Sequence, residues 1–149
     1  MHTPKPLLAL LLAASASMAQ AEPLKIGLIL PLTGPFASTG KQIEAGARLY
    51  MAQQGNTVAD RKVELIVKDD TGVADVTKRM AQELVVNDKV GVLAGFGLTP
   101  LAMATAPIAT QSKTPQVVMA AATSSITEAS PYIVRTSFTL PQASVALAD

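Results

Sequence analysis

Asp69 and Asp70 are the only adjacent carboxylates in the chain, and two acids side by side are a natural place to look for metal binding or acid/base work. The pair ends an apolar, β-prone run, Lys62 to Lys68, in which neighbouring side chains point to opposite faces. A turn-forming, solvated role therefore suits the two acids better than a shared catalytic one. Their surroundings add nothing to a reaction. The one histidine is His2, near the amino terminus, cysteine is absent, and no G-x-S-x-G serine elbow occurs. These absences argue against most acid/base and nucleophilic schemes. They also remove disulfides and thiolate metal sites, so no catalytic residue, metal ligand or cofactor site is assigned.

Two loops invite comparison with phosphate binding. Gly34 to Gln42 (GPFASTGKQ) follows one strand-like run and opens a helix-like one, as a P-loop does. Five residues separate its glycines where four are required, and Gln42 replaces the hydroxyl that holds magnesium. Gly95-Phe96-Gly97 begins a dinucleotide fingerprint but lacks the third glycine. Both loops instead bring hydroxyls and free N–H groups to helix entrances through Thr39 and Thr99. Unsatisfied donors and the helix dipole favour an anion there, so a carboxylate ligand fits. Ala120 to Ser125 (AAATSS) adds small residues that allow close backbone approach, with hydroxyls beside them. Plain helix capping accounts equally well for any one of these hydroxyls.

The elements that must position these loops alternate. Lys25 to Leu30 (KIGLIL), between prolines, reads as a strand buried on both faces. Lys41 to Gln54 reads as a helix, with Ile43, Ala47, Tyr50 and Met51 on one face. Lys62 to Lys68 is a second strand. A second helix follows, in which Val76, Met80 and Leu84 step by four, Ala81 and Val85 lie beside them, and Asn87-Asp88 is the stop. Val90 to Ala94 is a third strand, Leu101 to Gln111 a third helix, Gln116 to Ala120 a fourth strand and Tyr132 to Thr136 a fifth. Pro141 to Asp149 resembles the start of another helix. Strand-helix alternation with short connections predicts an α/β fold: an open, mostly parallel sheet with right-handed crossovers and helices on both faces. Ligands bind such sheets outside the carboxyl ends of the strands. The loops of interest are therefore Thr33 to Gly40, Asp69 to Gly72, Gly95 to Pro100 and Ala120 to Ser125.

Residues 1 to 21 carry the three zones of a secretory signal peptide: a basic start with Lys5, the apolar run Leu7 to Ala14, and Ala19-Gln20-Ala21 as an A-x-A cleavage site before Glu22. The apolar run is too short for a permanent span, which needs about 20 residues. With no cysteine after the cut, no lipid anchor is expected, and the exported product is read as soluble. The 149-residue chain less its first 21 residues leaves 128, one domain's worth. Loss of Lys5 leaves 11 basic and 11 acidic side chains, and the short pairs Arg61-Lys62 and Lys78-Arg79 make no basic stripe, so no nucleic-acid partner is implied.

The residues quoted so far, taken in order, resemble the Leu/Ile/Val-binding-protein-like family, the type 1 periplasmic solute-binding proteins of branched-chain amino-acid ABC importers. The likeness rests on Lys25-Ile26-Gly27 with Pro31-Leu32-Thr33-Gly34-Pro35 and Gly40, Asp69-Asp70, Gly91 to Gly95 and Ala106-Pro107-Ile108-Ala109. It continues through Val117-Val118, Ala122-Thr123 and Tyr132-Ile133-Val134-Arg135-Thr136, so that it spans Glu22 to Asp149.

That resemblance implies two similar α/β lobes closing over a solute, of which residues 22 to 149 look like the first, without its later elements. It implies that Thr99 binds a ligand carboxylate. Ala121 and Thr123 would hold the carboxylate and, in amino-acid binders, the ammonium, while Thr39 faces the ligand side chain and Phe36 stands nearby. Where members carry a serine pair in the third loop, this chain has Thr99-Pro100, with one hydroxyl and one backbone donor fewer. The cysteine pair of some members is missing. The expected role is capture of a small carboxylate-bearing solute in the periplasm by a monomer, and its delivery to an ABC permease in the inner membrane. A ligand-sensing lobe of the same fold and an exported α/β hydrolase using Asp69 and Asp70 are the alternatives.

Overall fold

The computed structural model describes residues 21 to 148, so the reading of a signal peptide falls almost wholly on residues outside those described. The elements run β1 (Leu24–Leu30), α1 (Ala37–Gln54), β2 (Thr57–Val58), β3 (Arg61–Asp69), α2 (Ala74–Val86), β4 (Val92–Gly95) and α3 (Thr99–Ser112). They end with β5 (Gln116–Val118), a 3-10 turn (Ser124–Glu128), β6 (Ile133–Arg135) and α4 (Leu140–Ala148). Six strands form one sheet in the order β2-β3-β1-β4-β5-β6, parallel except for the β2–β3 pair. No described helix is long and apolar enough to cross a membrane.

β1 lies at the centre because its residues are apolar on both faces. Leu28 and Leu30 point into a cluster with Ala94, against which Ile43 and Ala47 of α1 pack. Ile29 points the other way, into the larger cluster of Ala81, Leu84, Leu93, Phe96, Ala102, Val118 and Ile126 beneath α2 and α3. Gly27 shares that second face, where a Cβ would stand 2.8 Å from Leu84 Cδ1, so its lack of a side chain lets α2 approach β1. The helical face expected of α1 is only partly realised, since Tyr50 is 67% exposed. One helix covers that side of the sheet and two cover the other. α2 buries Ala81 and Leu84 as expected, and also Thr77, whose polarity hid it from the periodicity.

Two elements differ from the sequence reading in kind. β2 is a two-residue antiparallel edge, joined to β3 by Ala59 and Asp60 at positive φ, 48° and 61°. The 3-10 turn replaces what reads as plain loop, and it anchors through Ile126, which is fully buried.

Candidate functional site

The connection through α1 carries the chain from β1 to β3 on one side, and α2 then returns it past β1 to β4 on the other. This reversal opens a crevice at the carboxyl ends of β1 and β4, the switch point where α/β sheets bind ligands. Three expected loops meet there: residues 31 to 36 after β1, 96 to 98 after β4, and 119 to 123 after β5. The loop after β3 buttresses them.

The first loop is fixed from below. Asp69 accepts hydrogen bonds from the N–H groups of Leu32 (2.8 Å) and Thr33 (3.3 Å), from the Thr33 hydroxyl (2.7 Å) and from the N–H of Thr71 (2.9 Å). Gly40 presses α1 onto the end of β1, and a Cβ there would run into the Pro31 carbonyl. Phe36 is the residue before α1 and is 44% exposed. Gly72 lies beside it, so that a Cβ at Gly72 would stand 3.6 Å from the Phe36 ring and 4.0 Å from Leu98. Phe36 thus sits where the loops after β1, β3 and β4 converge. Thr39 is exposed, in the first turn of α1, and Phe36 rather than Thr39 stands at the N-cap.

The second and third loops meet hydroxyl to hydroxyl. Thr99 Oγ1 and Thr123 Oγ1 are 2.7 Å apart. Two hydroxyls own two protons, and one is spent on the mutual bond, so one O–H remains to donate outward. Leu98, not Thr99, is the N-cap of α3, and the Thr99 hydroxyl is bonded to Thr123, so capping does not account for that residue. The backbone N–H groups of Thr99 and Thr123 have no protein partner among the described residues. Ala121 is buried, and its backbone is already engaged: its N–H donates to the Phe96 carbonyl (3.0 Å) and its carbonyl accepts from Arg135 (3.1 Å). The loop after β4 departs sharply from the strand, with φ of 115° at Gly95 and 63° at Phe96. A Cβ on Gly95 would overlap the Ile29 carbonyl.

Sequence reasoning treated the two acids alike, and the structure separates them. Asp70 is not solvated. It is fully buried, with its carboxylate on the Gly72 N–H (2.9 Å) and the Thr77 hydroxyl (3.0 Å). Burial pushes its pKa up against those hydrogen bonds, and the neighbouring Asp69 charge adds to the rise. In Asp69 partial burial works upward too, but the Thr33 hydroxyl and the N–H groups of Thr71, Leu32 and Thr33 together hold the pKa below the ordinary value. Both acids form turns, as expected. No group of three or more metal-capable side chains occurs among the described residues.

An apolar groove of about 440 Å3 lies elsewhere, between α1 and the sheet, lined by Leu24, Ile26, Tyr50, Met51, Val63 and Met119. It has almost no polar group to orient a ligand, whereas binding sites usually combine an apolar wall with a few placed polar groups.

The geometry therefore defines a class: an α/β lobe whose uncommitted hydroxyl and amide donors gather at the switch point of its sheet. The chain belongs to the periplasmic binding protein family, whose model matches residues 23 to 149. It is similar to the Leu/Ile/Val-binding protein homolog 6 of Brucella abortus, with 50% identity over 135 residues, which is 90% of this chain and 35% of the relative. Among solved structures it is similar to a solute-binding protein of an ABC transporter from Rhodopseudomonas palustris BisB5 in complex with 3,4-dihydroxybenzoic acid. That match has 62% identity and a TM-score of 0.83, covering 85% of this chain and 35% of the other. A solute-binding protein of an ABC transporter from Rhodopseudomonas palustris HaA2, in complex with p-hydroxybenzoic acid, matches at 47% identity and TM-score 0.77, covering 84% and 36%. These neighbours are solute-binding proteins of ABC transporters, and the family resemblance read from the sequence is borne out. The chain spans about a third of the length of the curated relatives it matches.

Proposed function

We propose that residues 22 to 149 are the amino-terminal lobe of the periplasmic solute-binding component of an ABC importer. The lobe supplies one wall of a site for a small carboxylate-bearing solute, which is handed to a permease in the inner membrane. The observation that carries this reading is the Thr99–Thr123 hydroxyl pair with the two unpartnered amides beside it, at the switch point of the sheet. A carboxylate oxygen takes the spare hydroxyl proton and the amides, and Phe36 offers a ring for an apolar or aromatic body. Hydroxybenzoates lead as the solute class, because the relatives at 62% and 47% identity were solved with them. Branched-chain amino acids follow, on the strength of the Leu/Ile/Val-binding relative. In this reading the signal peptide is cleaved after Ala21 and the product acts as a soluble monomer.

A single wall leaves its ligand half exposed and forfeits most of the burial that a concave site provides. The chain by itself is therefore expected to bind with Kd on the order of 1 mM or weaker. Titration of isotope-labelled chain with 4-hydroxybenzoate, 3,4-dihydroxybenzoate and isoleucine reads this directly. Amide shifts centred on Thr99 and Thr123, weakened in Thr99→Val, support the proposal. Shifts confined to the groove beside α1, or micromolar affinity for the chain alone, refute it.

A further inference from the structure

Arg135, at the end of β6, faces no carboxylate among the described residues. The ion pairs among the described residues join Arg48 to Glu44 and Lys68 to Glu83. Arg135 instead spends its guanidinium on backbone carbonyls. Nη1 donates to Ala121 (3.1 Å) and Phe138 (3.4 Å), and Nη2 donates to Thr123. Two of those carbonyls belong to the loop that carries one half of the hydroxyl pair, and Phe138 belongs to the segment leading into α4. We infer that Arg135 is a positioning residue for the site: its planar fork holds the carbonyls of Ala121 and Thr123 toward β6, and so turns the Thr123 hydroxyl toward Thr99.

The chemistry requires arginine. A guanidinium presents five donors in fixed directions and can bridge several acceptors at once, whereas an ammonium is a compact point charge on a flexible stem. Charge-assisted bonds to carbonyls are stronger than neutral ones. The loop's other ties are neutral backbone bonds: Ala121 N–H to the Phe96 carbonyl (3.0 Å), Leu140 N–H to the Ala122 carbonyl (2.9 Å) and Ile126 N–H to the Thr123 carbonyl (3.3 Å). Between Ala121 and the 3-10 turn, the Thr123 side chain has Thr99 as its only protein partner among the described residues. The Ser137 hydroxyl reaches the Ala121 carbonyl at only 3.5 Å. Because no acid among the described residues neutralises the guanidinium, its charge also adds positive potential near the hydroxyl pair.

The role rests on the site assigned above, but its test does not need a ligand. In the intact chain, Arg135→Lys and Arg135→Gln are compared with wild type by amide hydrogen exchange and by nuclear Overhauser contacts between the Thr99 and Thr123 methyl groups. Exchange across residues 119 to 128 is expected to rise about tenfold or more, the factor for losing one charge-assisted hydrogen bond. The methyl contact is expected to vanish, while β1 and β4 amides keep their protection. Unchanged loop exchange, or a uniform rise across the whole sheet with the methyl contact retained, overturns the inference.

Should both variants fail to fold, wild type alone still decides, through the guanidinium resonances of Arg135. Restricted rotation about the Cζ–Nη bonds supports the clamp, and free rotation refutes it. A released loop in a protein whose Thr99 and Thr123 amides ignore 4-hydroxybenzoate would sink the proposed solute and leave the clamp standing.

Discussion

Asp70→Asn is expected to leave the protein as stable as wild type or more so at neutral pH, although it removes a fully buried acid at the end of β3. The Thr77 hydroxyl lies 3.0 Å from Asp70 Oδ2 and 2.9 Å from the Val73 carbonyl, and it has one proton for two acceptors. An ionised Asp70 leaves one of those contacts without a hydrogen. An asparagine in the same place keeps an oxygen for the Gly72 N–H and turns its amide toward Thr77, whose proton then goes to Val73. Every contact is satisfied, and no charge is buried. Exchanging a strained pair of acceptors for one more neutral hydrogen bond, with relief of desolvation, stabilises by about 1 kcal/mol. For a domain of this size that is about 3–5 °C in Tm.

The pH dependence supplies the sharper test. A carboxyl whose folded pKa is raised binds its proton more readily in the native state than in the unfolded chain. Wild type therefore gains stability as pH falls through the folded pKa toward the unfolded value of 3.8, and loses it as pH rises. The advantage of Asp70→Asn should be greatest near pH 7 and shrink on acidification, as read by urea unfolding at a series of pH values. A variant destabilised by more than about 1 kcal/mol at pH 7, with no pH dependence in the difference, would refute the reasoning. It would mean that the ionised acid is worth its burial.

Asp69→Asn should behave oppositely. Its folded pKa is lowered, so its contribution is present above 3.8 and lost as pH falls through the folded value. Replacing an acceptor of four hydrogen bonds is expected to cost about 1–2 kcal/mol at pH 7, measured in the same unfolding series. Gly95→Ala should cost more than about 2 kcal/mol, since alanine at a φ of 115° is strained and its Cβ meets the Ile29 carbonyl; a thermal melt within 2 °C of wild type would contradict this. Leu84→Ala is expected to lose about 2–5 kcal/mol in denaturant. Adding Gly27→Ala to that variant should recover part of the loss by filling the space Leu84 vacates, so that strict additivity in the double-mutant cycle would count against the packing described.

The strands were legible because burial on both faces leaves continuous apolar runs such as Lys25 to Leu30, and the helices because most inward positions keep the helical period. The parts that escaped did so for local reasons. Ala59-Asp60 is not one of the glycine-bearing dipeptides that mark a two-residue hairpin, and an exposed two-residue strand has no pattern to recognise. Thr77 is a polar residue in an inward position, legible only as the partner of a buried acid, which the adjacent Asp69 disguised as half of a solvated pair. The loops bearing Thr39, Thr99 and Thr123 could be located, but no spacing rule tells a capping threonine from one that pairs across loops, because the partner lies 24 residues away. Arg135 appeared only as one residue of a family-like strand. Its lack of an acidic partner becomes visible once β6 is placed beside β5.

The neighbouring order of β1, β4 and β5 has a metric consequence. Loops that leave adjacent strands are spaced by the hydrogen-bonded ladder, about 4.8 Å per step, so the first and third loops of the crevice stand about 10 Å apart. That interval is a ruler made of backbone, and no side-chain substitution can rescale it. It is wide enough for the small ring bearing a carboxylate proposed as solute. On the proposed site, a change of preferred solute is expected to be written in what stands at the marks, Phe36, Thr99 and Thr123, leaving the marks themselves where the sheet puts them.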